Sequence, residues 1–421
     1  MEPKVLVLSN ECFSKSSSNG RTLGNFFWGW PRDRLAQFYI SSGNPDFDYC
    51  NNYFRVTDGQ ALSALKTGRC SGGRIMEQFQ TVNGVTCTTK KRKRNALTML
   101  ARNFVWESGR WKKCGFKQWV KEFNPDIILL QAGDFAFMFR LAVKLAEKYQ
   151  AKLVIYNSEG YYFKDFDYFK SSGIAKMMYP VFWWDLKRAL KQAYGKTTRI
   201  FYACDELKRE YDEVFSVPSE TLYTASEIKA KADNIEPTGS FITSYCGNLG
   251  IERHKGLIAV AEELQKISPE FYVDVYGKIP NEKGQEDFDA CRGIRYHGLV
   301  SYGEVKRIID TSDLLLHVES FDDFYKEDLK FAFSTKIADL LSSGNCFLLY
   351  GPEQLACSKY LKENDAAFVV SDSEKLGIIL REIIAKPEIR KRHRKNALML
   401  AEKNHRGGKN VAHFQSVLKN I

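Results

Sequence analysis

Short apolar runs alternate with amphipathic segments along the whole chain. In the first half these runs, which are typical of strands buried on both faces, lie at 4–9, 35–40, 53–57, 126–131, 152–156, 198–202 and 221–223. The pattern restarts in the second half with apolar runs at 241–246, 271–276, 294–297, 314–318, 346–350 and 367–370. The intervening segments have helical spacing, as at 135–149, 257–267 and 305–309. This alternation predicts an α/β protein with parallel sheets covered by helices.

The length of 421 residues exceeds what one hydrophobic core usually supports, so two domains are expected. A polar segment at 225–233, followed by Pro237-Thr238-Gly239, marks the junction. We therefore predict one doubly wound domain at 1–230 and a second at 240–403. The remaining 404–421 should form a helix that packs back on the N-terminal domain.

Composition narrows the choice of partner and compartment. The net charge of +11 favours an anionic partner, which could be nucleic acid, acidic lipid or a phosphorylated substrate. The ten cysteines form no CxxC pair and no Cys/His cluster with zinc spacing, so we predict reduced thiols and no metal site. No apolar run could span a membrane and no secretory pattern opens the chain, which predicts a cytoplasmic protein.

The segment 334–344, before the apolar run 346–350, predicts a helix that leads into a buried strand. Ser334, Thr335 and Lys336 stand at the helix start, and Asp339 lies one turn further. A helix N-terminus attracts phosphate through its unpaired N–H groups. A carboxylate one turn on can accept hydrogen bonds from a pair of sugar hydroxyls. These are the groups needed to hold a nucleoside diphosphate.

A second candidate loop, 247–256, follows one strand and opens a helix. Its residues suited to a phosphate are glycines, a polar amide and two cations, namely Gly247, Asn248, Gly250, Arg253 and Lys255. The spacing is not the dinucleotide GxGxxG pattern. An ordinary strand-to-helix turn with solvated charges would look similar. Convergence with the Ser334 helix in the same domain favours the phosphate site.

Several motifs of the second half, in this order, resemble the nucleotide-sugar domain of GT-B glycosyltransferases. They are SYCGNLGIERHKGL, YVDVYG, RYHGLVSYGEVKRIIDTSDLLLHVES and FSTKIADLLSSGNCFLLYGP, which together cover about 240–370. The chain is similar to the family-four, group 1 retaining enzymes of bacterial surface polysaccharide biosynthesis. The resemblance implies a GT-B fold, in which two Rossmann-like domains face a central cleft. It also implies a nucleotide-sugar donor, most simply a UDP-sugar, with no further cofactor and no metal.

The resemblance also implies roles for single residues. Arg253 stands at the position of the arginine that binds the donor diphosphate, and Lys255 or Lys336 at that of the lysine. Asp339 replaces the glutamate that holds the ribose hydroxyls. The first glutamate of the family motif is Phe331 here, so Glu319 would have to supply that carboxylate.

Two strand ends of the second half stand where the family encloses the base of the donor. They are Tyr276-Gly277 and His297-Gly298, although plain turns are the alternative for both. In the first half, Asn19, Gly20 and Thr22 belong to a Ser/Gly-rich loop that resembles the acceptor-side loop of the fold. Flexible linker is the alternative there.

Asp134 and Glu159 follow predicted strands of the first domain. Each is a candidate partner of an acceptor hydroxyl and could contribute to catalysis with Arg253 and Lys336. Helix capping is the alternative for both carboxylates.

Basic and aromatic residues are interleaved over 90–121, within a predicted insertion at about 85–122. The segment has eleven Lys or Arg and one acid, Glu107. Such a mixture suits an anionic membrane surface or single-stranded nucleic acid, although a solvated basic loop is also possible. A similar mixture at 177–188 favours lipid.

These observations together predict a retaining hexosyltransferase. It would use a UDP-sugar and a lipid-linked saccharide acceptor, in capsule or O-antigen assembly at the inner face of the plasma membrane. No nucleic acid partner is expected, and the oligomeric state is not predicted. The alternatives are a GT-B epimerase or phosphorylase and, from a different class, a basic nucleic-acid-binding protein.

Overall fold

The computed structural model describes residues 2–15, 17–69, 71–77, 94–230, 241–279 and 281–421. Two compact units make up the chain: Met1–Leu222 with Gly408–Ile421, and Tyr223–Gly407. The first part of the predicted insertion, including Lys90–Lys93, lies outside the described residues, and so does Pro237–Gly239 of the predicted junction.

An eight-stranded sheet forms the centre of the first unit. Its strands are β1 (Val5–Ser9), β2 (Leu35–Tyr39), β3 (Asn52–Arg55), β4 (Gly73–Ile75), β5 (Ile127–Gln131), β6 (Lys152–Asn157), β7 (Arg199–Tyr202) and β8 (Ser219–Thr221). The order is β4-β3-β2-β1-β5-β6-β7-β8, and every neighbouring pair is parallel except β3 and β4. Strand β4 was not predicted, because Gly73-Arg74-Ile75 has no apolar run.

In the described residues before the second unit, eight α-helices accompany this sheet. They are α1 (Ser18–Phe26), α2 (Asp58–Thr67), α3 (Ala96–Glu107), α4 (Phe116–Phe123), α5 (Ala136–Tyr149), α6 (Gly173–Met177), α7 (Tyr179–Tyr194) and α8 (Asp205–Asp212). The central strands β1 and β2 are buried at every position, as their continuous apolar sequences predict.

A six-stranded, wholly parallel sheet forms the second unit. Its strands are β9 (Thr243–Cys246), β10 (Val273–Tyr276), β11 (Ile294–Gly298), β12 (Leu314–Val318), β13 (Cys346–Tyr350) and β14 (Phe368–Val370), in the order β11-β10-β9-β12-β13-β14. Its helices are α9 (Arg253–Ile267), α10 (Glu282–Ala290), α11 (Tyr302–Thr311), α12 (Asp323–Asp328), α13 (Lys336–Ser342), α14 (Ala356–Glu363), α15 (Ser373–Ala385) and α16 (Pro387–Asn404).

The last helix, α17 (Gly407–Asn420), belongs almost entirely to the first unit. Phe414 is fully buried there, and its ring lies 5.2 Å from that of Phe26 and 5.1 Å from that of Phe201. The C-terminal end of the chain therefore completes the core formed by its N-terminal half.

Each strand predicted from the sequence has a counterpart within two residues at its ends. The prediction of two α/β sheets built of parallel strands is confirmed, apart from the antiparallel edge strand β4. In both sheets the order reverses beside the strand that comes first in the unit, at β1/β5 and at β9/β12. Doubly wound sheets bind their ligands outside the carboxyl ends of the strands at such a switch point. The fold thus directs attention to the loops that follow β9 and β12 in the second unit.

Candidate functional site

Strands β9 and β12 separate at the carboxyl edge of the second sheet. They pair through Leu314 with Thr243 and Leu315 with Ser244, so their later residues, all within the described chain, do not pair with each other. Two of the candidate residues enter this region from opposite sides. Arg253 opens α9 after the β9 loop, and Glu319 follows β12 directly.

The β9 loop has an unusual backbone just before Arg253. Ile251 and Glu252 have φ angles of 55° and 61°, in the left-handed region that a β-branched residue such as Ile251 rarely adopts. Asn248 stabilises the turn, because its Oδ1 accepts a hydrogen bond from the N–H of Gly250 at 2.8 Å. No side chain caps the N-terminus of α9. Strain of this kind often accompanies a binding loop.

Arg253 and Glu319 form a buried, two-pronged ion pair. Arg253 donates to the carboxylate from Nε at 3.0 Å and from Nη2 at 2.8 Å. Its Nη1 has no hydrogen-bond partner among the residues that the structure describes. Glu319 therefore fixes the plane of the guanidinium and leaves one of its nitrogens available to a ligand.

His317 is fully buried beside this pair, with Nε2 3.0 Å from Oε1 of Glu319. Burial lowers the pKa of His317, and the positive charges of Lys336 and Arg253 act in the same direction. Burial alone would raise the pKa of Glu319, but His317, Arg253 and Lys336 outweigh it and lower that pKa to about 2. The carboxylate is therefore ionised and surrounded by positive charge.

Lys336, the first residue of α13, joins the same group. Its Nζ donates to the hydroxyl of Tyr245 at 3.1 Å and lies 4.5 Å from the centre of the Tyr245 ring. A Cβ at Gly247 would lie 2.2 Å from Nζ, so the ammonium group rests directly against the glycine backbone. Arg253 and Lys336 thus both lie close to Glu319 and to the β9 loop.

Gly247 and Gly277 allow two loops of the sheet edge to touch. A Cβ at Gly277 would lie 1.9 Å from the carbonyl oxygen of Gly247, so only glycine fits there without movement of the backbone. The N–H of Gly247 donates to Tyr276 O and that of Gly277 to Gly298 O, each at 2.8 Å. The loops after β9, β10 and β11 are therefore joined into one continuous edge.

Tyr276 and His297 form a flat aromatic pair on this edge. Their ring centres are 4.5 Å apart with an interplanar angle of 13°, and His297 Nε2 lies 2.7 Å from Asp274 Oδ1. Leu299, just beyond, is 73% exposed. Leu299 belongs to the strand end His297-Gly298-Leu299 that the resemblance places near the base. The sequence analysis did not single out Asp274, although it lies within the motif YVDVYG.

The remaining candidates of the second unit have surroundings that differ from those of the Arg253–Glu319 pair. Asp339 is half-buried, and its Oδ1 accepts a hydrogen bond from Ser226 Oγ at 2.6 Å. Ser334 and Thr335 precede α13 and are half-buried too. Lys255 is exposed and paired with Glu252 at 3.0 Å, so the structure places Lys336, not Lys255, beside Arg253 and Glu319.

The Ser/Gly-rich segment of the first unit differs in local structure from the acceptor-side loop that the resemblance implies. Asn19, Gly20 and Thr22 lie in α1, whose N-cap Ser17 accepts a hydrogen bond from the N–H of Gly20. A Cβ at Gly20 would lie 2.3 Å from the carbonyl oxygen of Cys12. Here glycine permits close packing of the helix start on the preceding loop. The prediction of a loop at these three residues is therefore wrong.

Asp134 and Glu159 follow β5 and β6, as predicted, but they differ in exposure. Asp134 is 2% exposed, forms an ion pair with Arg94 and accepts a hydrogen bond from Tyr168 at 2.8 Å. Burial and this carboxylate raise the pKa of the Tyr168 phenol well above its usual value. The side chain of Glu159 is 35% exposed, and its Oε2 lies 3.9 Å from Nζ of the buried Lys164.

The aromatic residues of the basic–aromatic segment are mostly core residues. Trp106, Trp111, Phe116 and Trp119 are buried around Phe38 and Phe54. The interpretation of this segment as a surface for lipid or single-stranded nucleic acid fails for these rings, because buried rings cannot stack on bases. Phe104 is the exception, at 71% exposed.

No helix in the described parts of the chain combines the length and apolarity needed to cross a bilayer. Over the same residues, no group of three or more His, Cys, Asp or Glu side chains could hold a metal ion.

Comparison with known proteins gives matches at the level of structure. No protein-family model matches the chain, and no curated protein does. HepE of Anabaena in complex with UDP is similar over 99% of this chain and 100% of its own, with a TM-score of 0.66 and 11% identity. HepE in complex with UDP-glucose gives 0.64 over the same shares, also at 11% identity.

Sucrose-phosphate synthase from Thermosynechococcus elongatus is similar over 99% of this chain and 98% of its own, with a TM-score of 0.66 and 9% identity. Identities this low define the fold and leave the activity open. The family-four detail of the predicted resemblance stays a prediction. The chain has the two-domain α/β GT-B fold.

Proposed function

We propose that this protein is a glycosyltransferase that uses a UDP-sugar as its donor. One observation carries the proposal: Arg253 and Lys336 lie beside the same carboxylate at the switch point of the second sheet, with Lys336 against the backbone of Gly247. Similar structures described as complexes with UDP and UDP-glucose support the choice of nucleotide.

The chemistry follows from where charge develops. When the bond between the anomeric carbon and the leaving oxygen breaks, negative charge accumulates on the diphosphate. The available Nη1 of Arg253 and the ammonium of Lys336 would stabilise that charge, and their fixed positions avoid a cost of reorganisation in the transition state. Asp339 would hold the ribose hydroxyls, and Tyr276, His297 and the glycines beside them would adjoin the base.

For the acceptor, Glu159 is the better candidate of the two carboxylates. Asp134 is already bound by Arg94 and Tyr168 and is almost inaccessible, whereas the side chain of Glu159 is one-third exposed. We further propose a saccharide acceptor attached to lipid, retention of anomeric configuration, and a role in surface polysaccharide assembly at the cytoplasmic face of the membrane. These finer proposals rest on the resemblance of the motifs.

A thermal-shift series with UDP, UDP-glucose and GDP-, ADP- and CMP-sugars tests the donor proposal. UDP at a hundred times its dissociation constant should add about 2.7 kcal/mol to the stability of the second unit. Arg253→Ala should abolish that gain, because the diphosphate loses its guanidinium. The matched control, Arg292→Ala, removes an exposed arginine of the same unit and should keep it.

Release of UDP from UDP-glucose, measured with and without added saccharide acceptors, tests the transferase activity itself. Stimulation by an acceptor is the expected result. If no nucleotide stabilises the wild-type protein, or if both arginine variants respond like the wild type, the proposed donor site is wrong. Interconversion of the sugar nucleotide without any acceptor would favour the epimerase alternative.

A further inference from the structure

Exposed apolar side chains are concentrated on three helices of the first unit. Six of the thirteen large apolar side chains that are exposed in the described chain lie on α3, α6 and α7. They are Leu97 (40% exposed), Phe104 (71%), Ile174 (70%), Met177 (78%), Val181 (47%) and Trp184 (59%), and we call them the apolar face. A concentration of this kind marks an interaction surface, whereas single exposed apolar residues are ordinary.

The three helices pack against one another, so these side chains lie on neighbouring elements of the same unit. Asn103 on α3 donates to Asp185 on α7 at 3.1 Å, and Phe104 and Trp184 are the chain neighbours of this bonded pair. Leu97 and Phe104 are seven residues apart and therefore share a side of α3.

A single stripe runs along α6 and α7. Met177, Val181, Trp184, Arg188 and Lys191 follow one another at spacings of three or four residues, and Met178 between the helices keeps helical backbone angles. The stripe is apolar at its start and cationic at its end. The guanidinium of Arg188 lies 5.5 Å from the centre of the Trp184 ring.

The charges around the apolar face are unbalanced. Lys176, Arg188 and Lys191 are exposed and form no ion pair with any residue that the structure describes. Residues 94–108 and 171–194, all of them described, contain the acids Glu107 and Asp185, and both are bound by Arg140. Within these two segments, no unpaired carboxylate accompanies the three unpaired cations.

The excess of cations indicates what kind of partner binds the apolar face. A second copy of the chain, docked by the same face, would bring like charges together across the interface. An anionic lipid bilayer instead offers a hydrocarbon region for Phe104, Ile174 and Met177, a headgroup zone suited to Trp184, and negative charge for the cations.

We propose that the apolar face docks the protein on anionic lipid bilayers. The face takes Leu97 and Phe104 from the basic–aromatic segment and its other four residues from α6 and α7. The remaining aromatic rings of that segment are buried. The proposal specifies the surface for the membrane contact named above, and it requires no nucleotide. Its failure and that of the donor site are therefore distinguishable.

Sedimentation of the full-length protein with lipid vesicles tests this proposal. Vesicles of phosphatidylcholine mixed with phosphatidylglycerol should bind the wild type, and vesicles of phosphatidylcholine alone should bind it at least tenfold more weakly. Met177→Ser with Trp184→Ser should lower the affinity at least tenfold. Arg188→Gln should lower it about fivefold, and more salt should weaken the wild type.

Met399→Ser is the matched control, because Met399 is 62% exposed on α16 of the other unit. It should bind vesicles like the wild type, and circular dichroism should show all variants folded. The proposal is overturned if the wild type does not bind anionic vesicles or if the double variant binds them equally well. It is also overturned if the double variant changes only the sedimentation coefficient, which would identify a second copy as the occupant.

Discussion

At the scale of single residues, the candidate donor site contains an ion pair that is largely buried. Arg253 and Glu319 are both nearly inaccessible, and a buried ion pair seldom adds stability over well-packed apolar side chains. Its value here is orientation, since the bidentate contact holds the guanidinium plane and leaves Nη1 facing outward from the pair. That arrangement suits a group that must meet a diphosphate with little rearrangement.

His405 is a second buried polar residue whose protonation state follows from its contacts. Its Nδ1 lies 2.8 Å from the carbonyl oxygen of Thr224, which can only accept, so Nδ1 carries the proton. Its Nε2 then accepts from the hydroxyl of Tyr360 at 2.9 Å. Burial lowers the pKa of His405 to about 4, although the bond to Thr224 opposes the shift.

This shift predicts a dependence of stability on pH. Between about pH 6.5 and pH 4 the unfolded chain takes up a proton at this histidine and the folded protein does not, so stability falls as the solution is acidified. The loss due to His405 should reach about 3 kcal/mol at pH 4. Denaturant unfolding of the second unit at several pH values measures it, and His405→Gln should lessen the acid dependence.

The dependence should not vanish in His405→Gln, because burial also lowers the pKa of His317 and His393. An imidazole of His405 that titrates near pH 6.5 by NMR in the folded protein would contradict the prediction.

At the scale of elements, the candidate donor site depends on loops that approach more closely than side chains would allow. Gly277 has no left-handed φ angle, so its backbone alone does not demand glycine. Glycine is required at position 277 because a Cβ there would lie 1.9 Å from the carbonyl oxygen of Gly247. The side chain of Lys336, the first residue of α13, also lies against Gly247.

Gly277→Ala should therefore push the β9 and β10 loops apart. We expect a loss of about 1–3 kcal/mol in the unfolding free energy of the second unit, as for other overpacked sites. We also expect UDP to bind at least tenfold more weakly, measured by calorimetric titration. Gly303→Ala, on α11 of the same unit, is the control: a Cβ there meets nothing closer than 4.0 Å. Equal behaviour of the two variants would show that the close approach is unimportant.

At the scale of the whole molecule, the chain returns to its first unit after completing the second. It enters the second unit at Tyr223 and leaves it at Gly407, and α17 then supplies Phe414 and Leu418 to the core of the first. The stability of the N-terminal half therefore depends on residues almost four hundred positions away.

Phe414→Ala tests this dependence. Removal of a fully buried ring should destabilise the first unit by about 3–5 kcal/mol. Stabilisation of the second unit by UDP should persist, because Phe414 has no part in the donor site. Hydrogen exchange followed by mass spectrometry reports the two units separately. Ser416→Ala, at an exposed position of the same helix, should change stability by less than about 0.5 kcal/mol.

The strands and their order in the chain could be predicted from the sequence, because a strand buried on both faces requires a continuous apolar run. Strand β4 was not predicted, because an edge strand of three residues needs no continuous apolar run. The N-terminal Ser/Gly-rich segment was misassigned because serine and glycine open helices as readily as they form loops. Arg253 was identified from its motif. Glu319 was predicted to replace the first glutamate of the family motif, and its ion pair with Arg253 was not predicted.

The sequence by itself determined the fold class and the position of the principal cation, because apolar period and motif order are local properties of the chain. Only the tertiary structure decided which lysine lies beside Glu319, which of the two candidate carboxylates Asp134 and Glu159 is accessible, and which aromatic residues are exposed. Those outcomes depend on contacts between elements far apart in sequence. Lys255 and Lys336 are the same kind of residue, but the fold places only Lys336 at the candidate donor site. Likewise Trp119 and Trp184 are the same kind of residue, but the fold buries Trp119 and exposes Trp184.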